Sequence, residues 1–418
     1  MRSSDVLHRR PEIASIAVAL LVLLVACQSP GRPVPGAPAP VVLVSFDGFR
    51  WDYAARTETP NFERLARDGV KAERLVPGFS SKTFTGHYSL ATGLYPGHHG
   101  IISNTMRDPG WPEVFRLSDR KEVEKERWWG GEPIWVTAKR QGLRAGSYFW
   151  PGSEGEVQGV RPDWWFAYDA AVPWDTRVAA ALDWLTRPVA ERASFVALYF
   201  EEPNDAGHTY GPGAPETMAA TRRADAMLGL LLDGLATRRV EANVIVVSDH
   251  GMAQNDVSRL IVLDDYVELL PDELLEHGAL AQVFPQAGRE PYIVQALEGA
   301  HPELAVYRRG AMPAHLHLFD NPRVAPLVLV PTAGWEVVPR SALGGGPPRV
   351  TAGDHGSDPT HPDMHGIFYA AGPGITRGRT LGPVEQVDVY AFMCRLLGIE
   401  PAPNDGVWER IAGAVATR

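Results

Sequence analysis

The chain has very little cysteine, which limits how its fold can be held together. Its 418 residues include two cysteines, Cys27 and Cys394. If Cys27 carries a lipid, as its surroundings indicate below, Cys394 has no partner and disulfide bonds cannot stabilise the fold. Cys394 lies in the apolar run VYAFMCRLLG, which predicts a buried position on a helix.

The chain also lacks an excess of positive charge. It has 40 Lys and Arg against 50 Asp and Glu, so its formal net charge is -10. A general nucleic-acid-binding protein normally presents a basic face, and we therefore expect no duplex nucleic acid as a partner. Small anionic substrates held by metal ions are not excluded. The length and the apolar content of 45% suit one large α/β domain with insertions, or two domains.

The N-terminal apolar run is too short to span a bilayer comfortably. It extends from Ile13 to Ala26, is broken by Ser15 and follows three arginines. It ends in the letters LVAC, which resemble a bacterial lipoprotein cleavage box whose cysteine, here Cys27, is acylated. A plain signal peptide and a retained membrane helix are the alternatives.

We therefore expect residues 1–27 to be a lipoprotein-type signal peptide. Residues 28–40, rich in Pro and Gly, predict a semi-extended tether. These features predict an exported bacterial protein in the periplasm or at the outer membrane, attached to the membrane through its lipid alone. Gln28, after the cysteine, favours the outer membrane by resemblance.

The rest of the chain shows no internal repeat, and residues 79–104 contain no Gly-x-Ser-x-Gly nucleophile elbow. We expect one folded domain over residues 41–410. Within it, residues 255–345 alternate short strand-like runs with Gly and Pro, which indicates an inserted smaller subdomain. Residues 108–131 show no period and predict a loop. Capping residues and apolar spacing predict helices between Thr59 and Gly69, from near Thr83, and over 173–185, 216–235 and 387–397.

Three apolar strands are each followed by side chains that can bind a metal ion. VVLVSFD ends in Asp47, SFVALYFEEPNDAGH carries Asn204 and His208, and NVIVVSDHGM carries Asp249 and His250. The carboxyl ends of strands in a mostly parallel sheet share one edge, where ligand crevices form. The sequence therefore predicts an α/β fold, with a mostly parallel central sheet flanked by helices and a metal centre at its edge.

Each of these residues also has a simpler interpretation. An Asp after a strand often caps the next helix, and a lone His is usually a hydrogen-bonded polar residue. The adjacent Asp249 and His250 favour a zinc-like ion, because such ions take both O and N ligands. His208 and His355 lie beside glycines, which let a backbone approach closely. We therefore expect both to be ligands.

Hydroxyl side chains that could act as nucleophiles are clustered in one segment. Ser80, Ser81, Thr83 and Thr85 precede the predicted helix. A hydroxyl needs a base or a metal ion to become a good nucleophile at neutral pH, and a helix N-terminus also stabilises anions. The alternative is that these hydroxyls are helix caps. Their spacing does not choose among the four.

At this point the chain resembles the nucleotide pyrophosphatase/phosphodiesterase family of the alkaline phosphatase superfamily. The resemblance covers nearly all of the chain from Val41 to Gly406. It rests on seven motifs in the family's order: SFDGFRWDY, SKTFTGHYSLATGLYPGHHGIISN, FWPGSE, YFEEPNDAGHTYGP, SDHGM, GDHGSDPTHPDMHG and MCRLLGIEPAPNDG. It implies an alkaline-phosphatase-like fold and makes residues 41–410 a phosphodiesterase catalytic domain.

The resemblance further implies two zinc ions and a covalent threonine. Thr83 matches the nucleophile, which is also a ligand of the first ion. The other ligands of that ion match Asp47, Asp249 and His250, and His208 and His355 match ligands of the second ion.

The resemblance also implies substrate contacts. Asn104 matches the side chain that helps to hold a phosphate oxygen. Phe84 and Tyr168 match aromatic residues that sandwich a nucleobase, and Trp150 and Pro151 match the loop that lines this pocket.

Three positions depart from the family pattern. Asn204 stands where the family has a metal-binding Asp, and either its carbonyl oxygen or the carboxylate of Asp205 would have to replace that ligand. Thr85-Gly86 replaces the usual Pro-Asn. Glu154 stands where Asp is common in nucleotide-selective members, which leaves base preference open.

The resemblance implies an exported two-zinc phosphodiesterase or nucleotide pyrophosphatase that acts on a small nucleotide or phosphodiester. Nucleoside triphosphates would give a monophosphate and pyrophosphate. Two alternatives stay open: a phosphodiesterase for lysophospholipids or glycerophosphodiesters, whose pocket could use the many tryptophans, and a non-catalytic nucleotide-binding lipoprotein. The sequence does not predict an oligomeric state.

Overall fold

The computed structural model of the chain describes residues 38–344 and 350–416. The predicted signal peptide and nearly all of the predicted tether lie outside the described residues. In chain order the strands are β1 (Val41–Phe46), β2 (Val70–Ala72), β3 (Leu75–Val76), β4 (Thr105–Arg107), β5 (Val114–Arg116), β6 (Ala145–Tyr148), β7 (Phe195–Phe200), β8 (Asn243–Val247), β9 (Ala253–Gln254), β10 (Leu260–Val262), β11 (Leu274–Glu276), β12 (Ala281–Val283), β13 (Leu304–Arg308), β14 (Leu327–Pro331), β15 (Glu336–Val338), β16 (Gly353–Asp354), β17 (Phe368–Ala371), β18 (Arg379–Leu381) and β19 (Val384–Glu385). The α-helices are α1 (Tyr53–Arg56), α2 (Pro60–Asp68), α3 (Thr83–Thr92), α4 (Pro96–His99), α5 (Arg120–Val123), α6 (Ile134–Arg140), α7 (Trp174–Thr186), α8 (Asn204–Tyr210), α9 (Pro215–Thr237), α10 (Glu290–Leu297), α11 (Asp388–Leu397) and α12 (Trp408–Ile411).

A seven-stranded sheet forms the centre of the fold, in the order β18-β2-β17-β8-β1-β7-β6. Strands β6, β7, β1 and β8 are parallel to one another. Strand β17 runs antiparallel to its neighbours β8 and β2. The predicted fold class, α/β with a mostly parallel central sheet flanked by helices, is confirmed.

The central strands are apolar throughout because helices cover both faces of the sheet. Every residue of β1, β7 and β8 is buried, as expected for strands of a parallel sheet with two covered faces. Successive side chains of a strand point to opposite faces. Val41 and Leu43 accordingly belong to one apolar core with residues of α3 and α11, whereas Val42 and Val44 belong to a second core with residues of α2, α7 and α9.

The long predicted helices are found at the expected places, with one difference at a cap. Helix α2 begins at Pro60 and α3 at Thr83, and α7, α9 and α11 match the other predicted ranges. Thr59 does not cap α2 with its side chain, since its hydroxyl donates to the carbonyl of Ala54. The carboxylate of Asp225 on α9 instead accepts the amides of Asn61 and Phe62, at 2.9 and 3.0 Å. Cys394 is buried on α11, as predicted.

The prediction of a loop over residues 108–131 is wrong in part. This segment holds β5, which pairs with β4, then α5 and a 3-10 turn at Glu126–Trp128. Asp119 caps α5 by accepting the amides of Lys121 and Glu122. The sequence shows no period here because each element is shorter than the window over which a period can be read.

Residues 255–345 contain a second, smaller sheet. It has the order β11-β12-β14-β13 and is antiparallel. It shares an apolar core with α10 and with the parallel pair β10 and β15. That this region is an inserted subdomain stays a prediction.

One further negative result concerns membranes. Within the ranges 38–344 and 350–416, no helix has both the length and the hydropathy that crossing a bilayer requires.

Candidate active site

The carboxyl ends of β1, β7 and β8 bring the predicted metal ligands together. Asp47 directly follows β1, and Asp249 and His250 follow β8. The His250 Nε2 atom lies 3.3 Å from Asp47 Oδ1 and 3.0 Å from Asp249 Oδ2. All three side chains are buried. The amide of Gly48 donates to Asp249 Oδ1 at 3.1 Å, which fixes one strand end against the other.

Two more histidines complete the cluster. His208 on α8 and His355, which follows β16, place their Nε2 atoms 3.2 Å apart. The ring of His355 also stacks on that of His250, with 3.4 Å between centroids. Residues far apart in the sequence therefore meet at one edge of the central sheet, as the sequence predicted.

Backbone contacts determine which nitrogen of each histidine is free. The Nδ1 atoms of His208, His250 and His355 each lie 2.8 Å from a carbonyl oxygen, those of Gly353, Gly251 and Ser81 respectively. A carbonyl only accepts hydrogen bonds, so each Nδ1 carries the proton and, in a neutral ring, each Nε2 presents a lone pair. Such backbone partners are typical of metal-binding histidines.

Burial keeps two of these rings neutral. It lowers the pKa of His208, and burial with the neighbouring His250 and His208 lowers the pKa of His355 well below its ordinary value. The Nε2 atoms of His208 and His355 lie 3.2 Å apart. If both rings are neutral, the lone pairs of these atoms repel each other unless a proton or a cation lies between them. A cation is the better fit, because the depressed pKa values oppose protonation.

Several buried atoms at this edge lack a partner. Asp47 Oδ1, Asp249 Oδ2, His250 Nε2 and Asn204 Oδ1 make no hydrogen bond with the described residues. Burial and the carboxylate of Asp249 raise the pKa of Asp47 well above its ordinary value. Buried polar atoms without partners are costly and rare. The set of carboxylate, amide and imidazole donors therefore fits a zinc-like cation.

The structure separates Asn204 from Asp205. The side-chain oxygen of Asn204, Oδ1, is buried and unpaired among the described residues. The backbone N–H of Asn204 donates to the Asp47 carbonyl at 3.0 Å. Asp205 is exposed and lies 3.4 Å from the Asn204 side-chain nitrogen. Both residues line the cavity beside the cluster, and the buried, unpaired Oδ1 atom favours Asn204 as the predicted ligand.

Of the four candidate hydroxyls, Thr83 alone lines the cavity beside the cluster. This cavity has a volume of ≈ 500 Å³, and Asp47, Asn204, His208 and His355 also line it. Ser80 and Ser81 are buried and donate to the carbonyls of Ile102 and Ser357. Thr85 is fully buried and has no partner in the described part of the chain. The geometry thus favours Thr83 among the four hydroxyls that spacing left open.

Asn104 is held at the same place by the start of α3. Its Oδ1 atom accepts the amide of Phe84 at 2.9 Å, and Asn104 lines the cavity with Thr83. Since the oxygen is occupied, the side-chain nitrogen of Asn104 is the group that can donate to a substrate.

The predicted substrate-contacting residues are only partly found on the cavity wall. Phe84, Tyr168 and Pro151 line the cavity, but Trp150 does not. Trp150 is fully buried, and its indole nitrogen donates to the carbonyl of His87 at 3.1 Å. Because its single donor is used within the protein, the structure does not support the predicted contact of Trp150 with the substrate. The many tryptophans were the reason to retain a lipid substrate as an alternative. Four of them also do not line this cavity: Trp128, Trp129, Trp164 and Trp165.

Two positioning contacts were not predicted from the sequence. His87, one turn after Thr83 on α3, lies 2.8 Å from the Thr83 carbonyl and 3.3 Å from Asp249 Oδ2. Tyr199 donates its hydroxyl to Asp47 Oδ2 at 2.7 Å. The spacing from Thr83 to His87, four residues on a predicted helix, was the one available signal for His87.

A larger cavity elsewhere lacks this chemistry. It has a volume of ≈ 760 Å³, and its lining includes Arg64, Leu232 and Arg377 but none of the clustered residues described above. Size alone is therefore not a guide to the active site in this fold.

The chain is similar to known proteins over almost its whole described length. A family model described as type I phosphodiesterase / nucleotide pyrophosphatase matches residues 41–358. The chain is 37% identical to human ectonucleotide pyrophosphatase/phosphodiesterase family member 7, covering 93% of this chain and 87% of that protein. It is 34% identical to a bis(5'-adenosyl)-triphosphatase of Xenopus laevis, over 93% of this chain and 84% of that protein.

Two further relatives define the extent of the similarity. The human family member 1 is 36% identical over 91% of this chain, which spans 42% of that longer protein. A solved structure of murine family member 5, an inactive variant in complex with AMP, matches with a TM-score of 0.85 and 32% identity, over 90% of this chain and 100% of that one. The chain therefore belongs to the type I phosphodiesterase/nucleotide pyrophosphatase family, a family of hydrolases in the alkaline phosphatase superfamily.

Proposed function

We propose that the chain is an exported two-zinc phosphodiesterase that cleaves nucleoside triphosphates and related phosphodiesters at the α-phosphate. The observation that carries the proposal is the position of Thr83. Its hydroxyl stands at the N-terminus of α3, on one cavity with Asp47, Asn204, His208 and His355. The similarity to a bis(5'-adenosyl)-triphosphatase and to an AMP complex supports a nucleotide substrate.

The donor atoms divide into two groups that would hold the ions. Asp47, Asp249, His250 and the Thr83 hydroxyl form one group. Asn204, His208 and His355 form the other. When bound, two zinc ions supply Lewis-acid stabilisation of phosphate oxygens and lower the pKa of a bound hydroxyl.

The residues of the chain then perform two displacements. The Thr83 oxygen attacks the phosphorus atom in line; the bond from Thr83 to phosphorus forms as the bond to the leaving oxygen breaks. Water next cleaves the threonine ester, which restores the hydroxyl and releases the phosphate monoester. The net change is the addition of one water molecule across a P–O bond.

Neighbouring groups hold the substrate and the nucleophile. The free nitrogen of Asn104 donates to a non-bridging oxygen, and the amides at the start of α3 favour the negative charge that remains on phosphate. Phe84 and Tyr168 offer faces on which a base can stack, and such contacts contribute on the order of 1–3 kcal/mol per base.

The test is the product pattern with ATP. The purified protein, loaded with zinc, is given ATP and the products are separated by chromatography. AMP with pyrophosphate supports cleavage at the α-phosphate, whereas ADP with phosphate would refute it. Metal content, measured on the same sample, should be about two zinc ions per chain.

Export and lipid attachment are also part of the proposal, and the N-terminal sequence supports them. Mass spectrometry of the mature N-terminus is the test. We expect an acylated Cys27 as the first residue, and an unmodified or intact N-terminus would contradict this.

A further inference from the structure

A charged side chain that the catalytic scheme does not use stands on the wall of the cavity. Arg120, the first residue of α5, lines the cavity beside Tyr168. Its guanidinium carbon lies 5.6 Å from the centroid of the Tyr168 ring, within the range of a cation–π contact. One of its nitrogens donates to the Leu117 carbonyl at 3.1 Å. The arginine is therefore held over one face of the aromatic ring.

The same arginine forms an ion pair with Glu154. The Glu154 side chain is 3% exposed, and its Oε1 atom also accepts the amide of Tyr168 at 3.2 Å. One carboxylate thus links the guanidinium to the backbone that carries the ring. Its charge is compensated, so the acid at this position is not a free anion on the cavity wall.

Two polar atoms of the pair are left over. Arg120 Nε, a donor, and Glu154 Oε2, an acceptor, are buried and make no hydrogen bond within residues 38–344 and 350–416. Both residues line the cavity. Because protein covers these two atoms, a ligand in the cavity meets the pair through the rest of the Arg120 side chain, which is 32% exposed.

A quaternary ammonium group would find the opposite conditions. Such cations bind on open aromatic faces. Here a guanidinium already occupies one face of Tyr168 and pairs with Glu154, so its positive charge opposes a second cation at this part of the wall. A guanidinium does favour a flat base, because it stacks on π-systems.

We propose that the Arg120–Glu154 pair determines substrate class at this site, by admitting nucleobases and rejecting quaternary ammonium head groups such as choline. The inference rests on the proposed function and deepens it. It names one of the two substrate classes that the sequence left open.

The test is the ratio of affinities for AMP and phosphorylcholine, measured by calorimetry on the zinc-loaded protein. The wild type should bind AMP more tightly. Arg120→Ala should shift the ratio toward phosphorylcholine by about tenfold, because an aromatic face and a buried anion become available to the cation. Arg120→Gln removes the charge at similar length and serves as the second variant, with a shift in the same direction.

Two further variants sharpen the experiment. Glu154→Gln leaves the guanidinium unpaired and should not shift the ratio toward phosphorylcholine. Lys121→Ala removes an exposed positive charge from the same helix and should leave the ratio unchanged. A wild type that binds phosphorylcholine as tightly as AMP, or arginine variants with the wild-type ratio, would overturn the inference.

Turnover of bis(p-nitrophenyl) phosphate, which contains neither a base nor choline, is measured in parallel. Its absence counts against the proposed function, whereas the affinity ratio still decides the role of the pair.

Discussion

At the residue scale, backbone carbonyls prepare the histidines of the site for metal binding. Each of the three rings donates from Nδ1, as the distances of 2.8 Å indicate. The Nε2 atom of His250 thereby lies beside the unpaired oxygens of Asp47 and Asp249, and those of His208 and His355 lie beside each other. The arrangement is costly without a cation, and this cost is the physical reason to expect one.

Thr83→Ala should abolish turnover and leave the fold and metal content largely intact. The hydroxyl is the proposed nucleophile, and its loss should reduce kcat on the order of a thousandfold or more. Steady-state kinetics with a nucleotide ester and metal analysis of the same preparation provide the measurement. Thr85→Val is the matched control, since it removes a buried hydroxyl that has no partner in the described structure. Near-normal activity of Thr83→Ala would show that another group is the nucleophile.

Asn204→Asp should tighten zinc binding at the group formed with His208 and His355. The substitution adds a negative charge where a buried amide oxygen now stands unpaired, and we expect an affinity gain on the order of tenfold. Competition with a chromophoric chelator measures it without turnover. Asp205→Asn, at the exposed neighbour, should not have this effect. Equal affinities of Asn204→Asp and wild type would argue that Asn204 is not a ligand.

The candidate ligands could be predicted from the sequence because each follows an apolar strand or stands between glycines. The choice of Thr83 among four hydroxyls could not, since it depends on which hydroxyls the fold buries against carbonyls. The position of Trp150 was missed for the same reason. Its indole nitrogen is used by the backbone of α3, a contact that sequence spacing does not reveal.

At the scale of elements, α3 connects the proposed nucleophile with the predicted metal ligands. Its first residue is Thr83, and His87 one turn later reaches Asp249. The next short helix, α4, is joined to α3 through His99, whose Nε2 lies 3.0 Å from Ser89 Oγ. The amide of Ile101 donates to Nδ1 of the same ring at 3.1 Å, so His99 is neutral in this arrangement.

His99 should make the stability of the protein depend on acidity. Burial, and then the charges of Arg323 and His98, lower its pKa from 6.5 to about 3. The unfolded chain binds the proton more readily than the folded chain between these values. The free energy of unfolding is therefore fully retained above pH 6.5 and falls as the pH is lowered toward 3, by about 2 kcal/mol at pH 5.

Denaturant unfolding at neutral pH and at pH 5 measures this dependence. His99→Gln should remove much of it, whereas His98→Gln, which removes one of the smaller causes of the lowered pKa, should weaken it only slightly. An equal pH dependence in wild type and His99→Gln would assign the effect to other groups.

The long helices could be predicted because apolar spacing extends over several turns. The segment from 108 to 131 could not, since β5 and α5 are held by contacts distant in sequence. Arg323, for example, donates to the carbonyls of Trp128 and Arg127 from about two hundred residues away, at 2.7 and 2.9 Å. Arg120, which we infer to set substrate class, lies in this same segment.

At the scale of the whole molecule, bound metal should contribute to stability. Asp47, Asp249 and His250 join the ends of two central strands, and their unpaired atoms are buried. Removal of metal with a chelator should lower Tm, and added zinc should restore it, because a ligand that binds only the folded chain stabilises by several kcal/mol at saturation. Differential scanning calorimetry measures the change. Asp47→Asn should reduce the response to zinc, and a Tm unaffected by chelation would contradict a structural contribution from the metal.

The overall architecture could be predicted from three apolar runs and their polar ends. The antiparallel strand β17 and the separate sheet of residues 255–345 could not be predicted, because short strands are stabilised by pairing with strands that are distant in the sequence. The cavity that we propose as the substrate pocket is the least predictable part. Its wall joins α3, α5 and the segments around Pro151 and Tyr168, which meet only in the folded chain.

The most direct measurement of the central claim is a rapid acid quench of the zinc-loaded protein during turnover of ATP. Parallel reactions carry the radiolabel at the α-phosphate or at the γ-phosphate. We predict that label from the α-phosphate alone is retained on the peptide that contains Thr83. Label from the γ-phosphate, or α-label on a different peptide, would contradict the proposed nucleophile and the proposed site of cleavage.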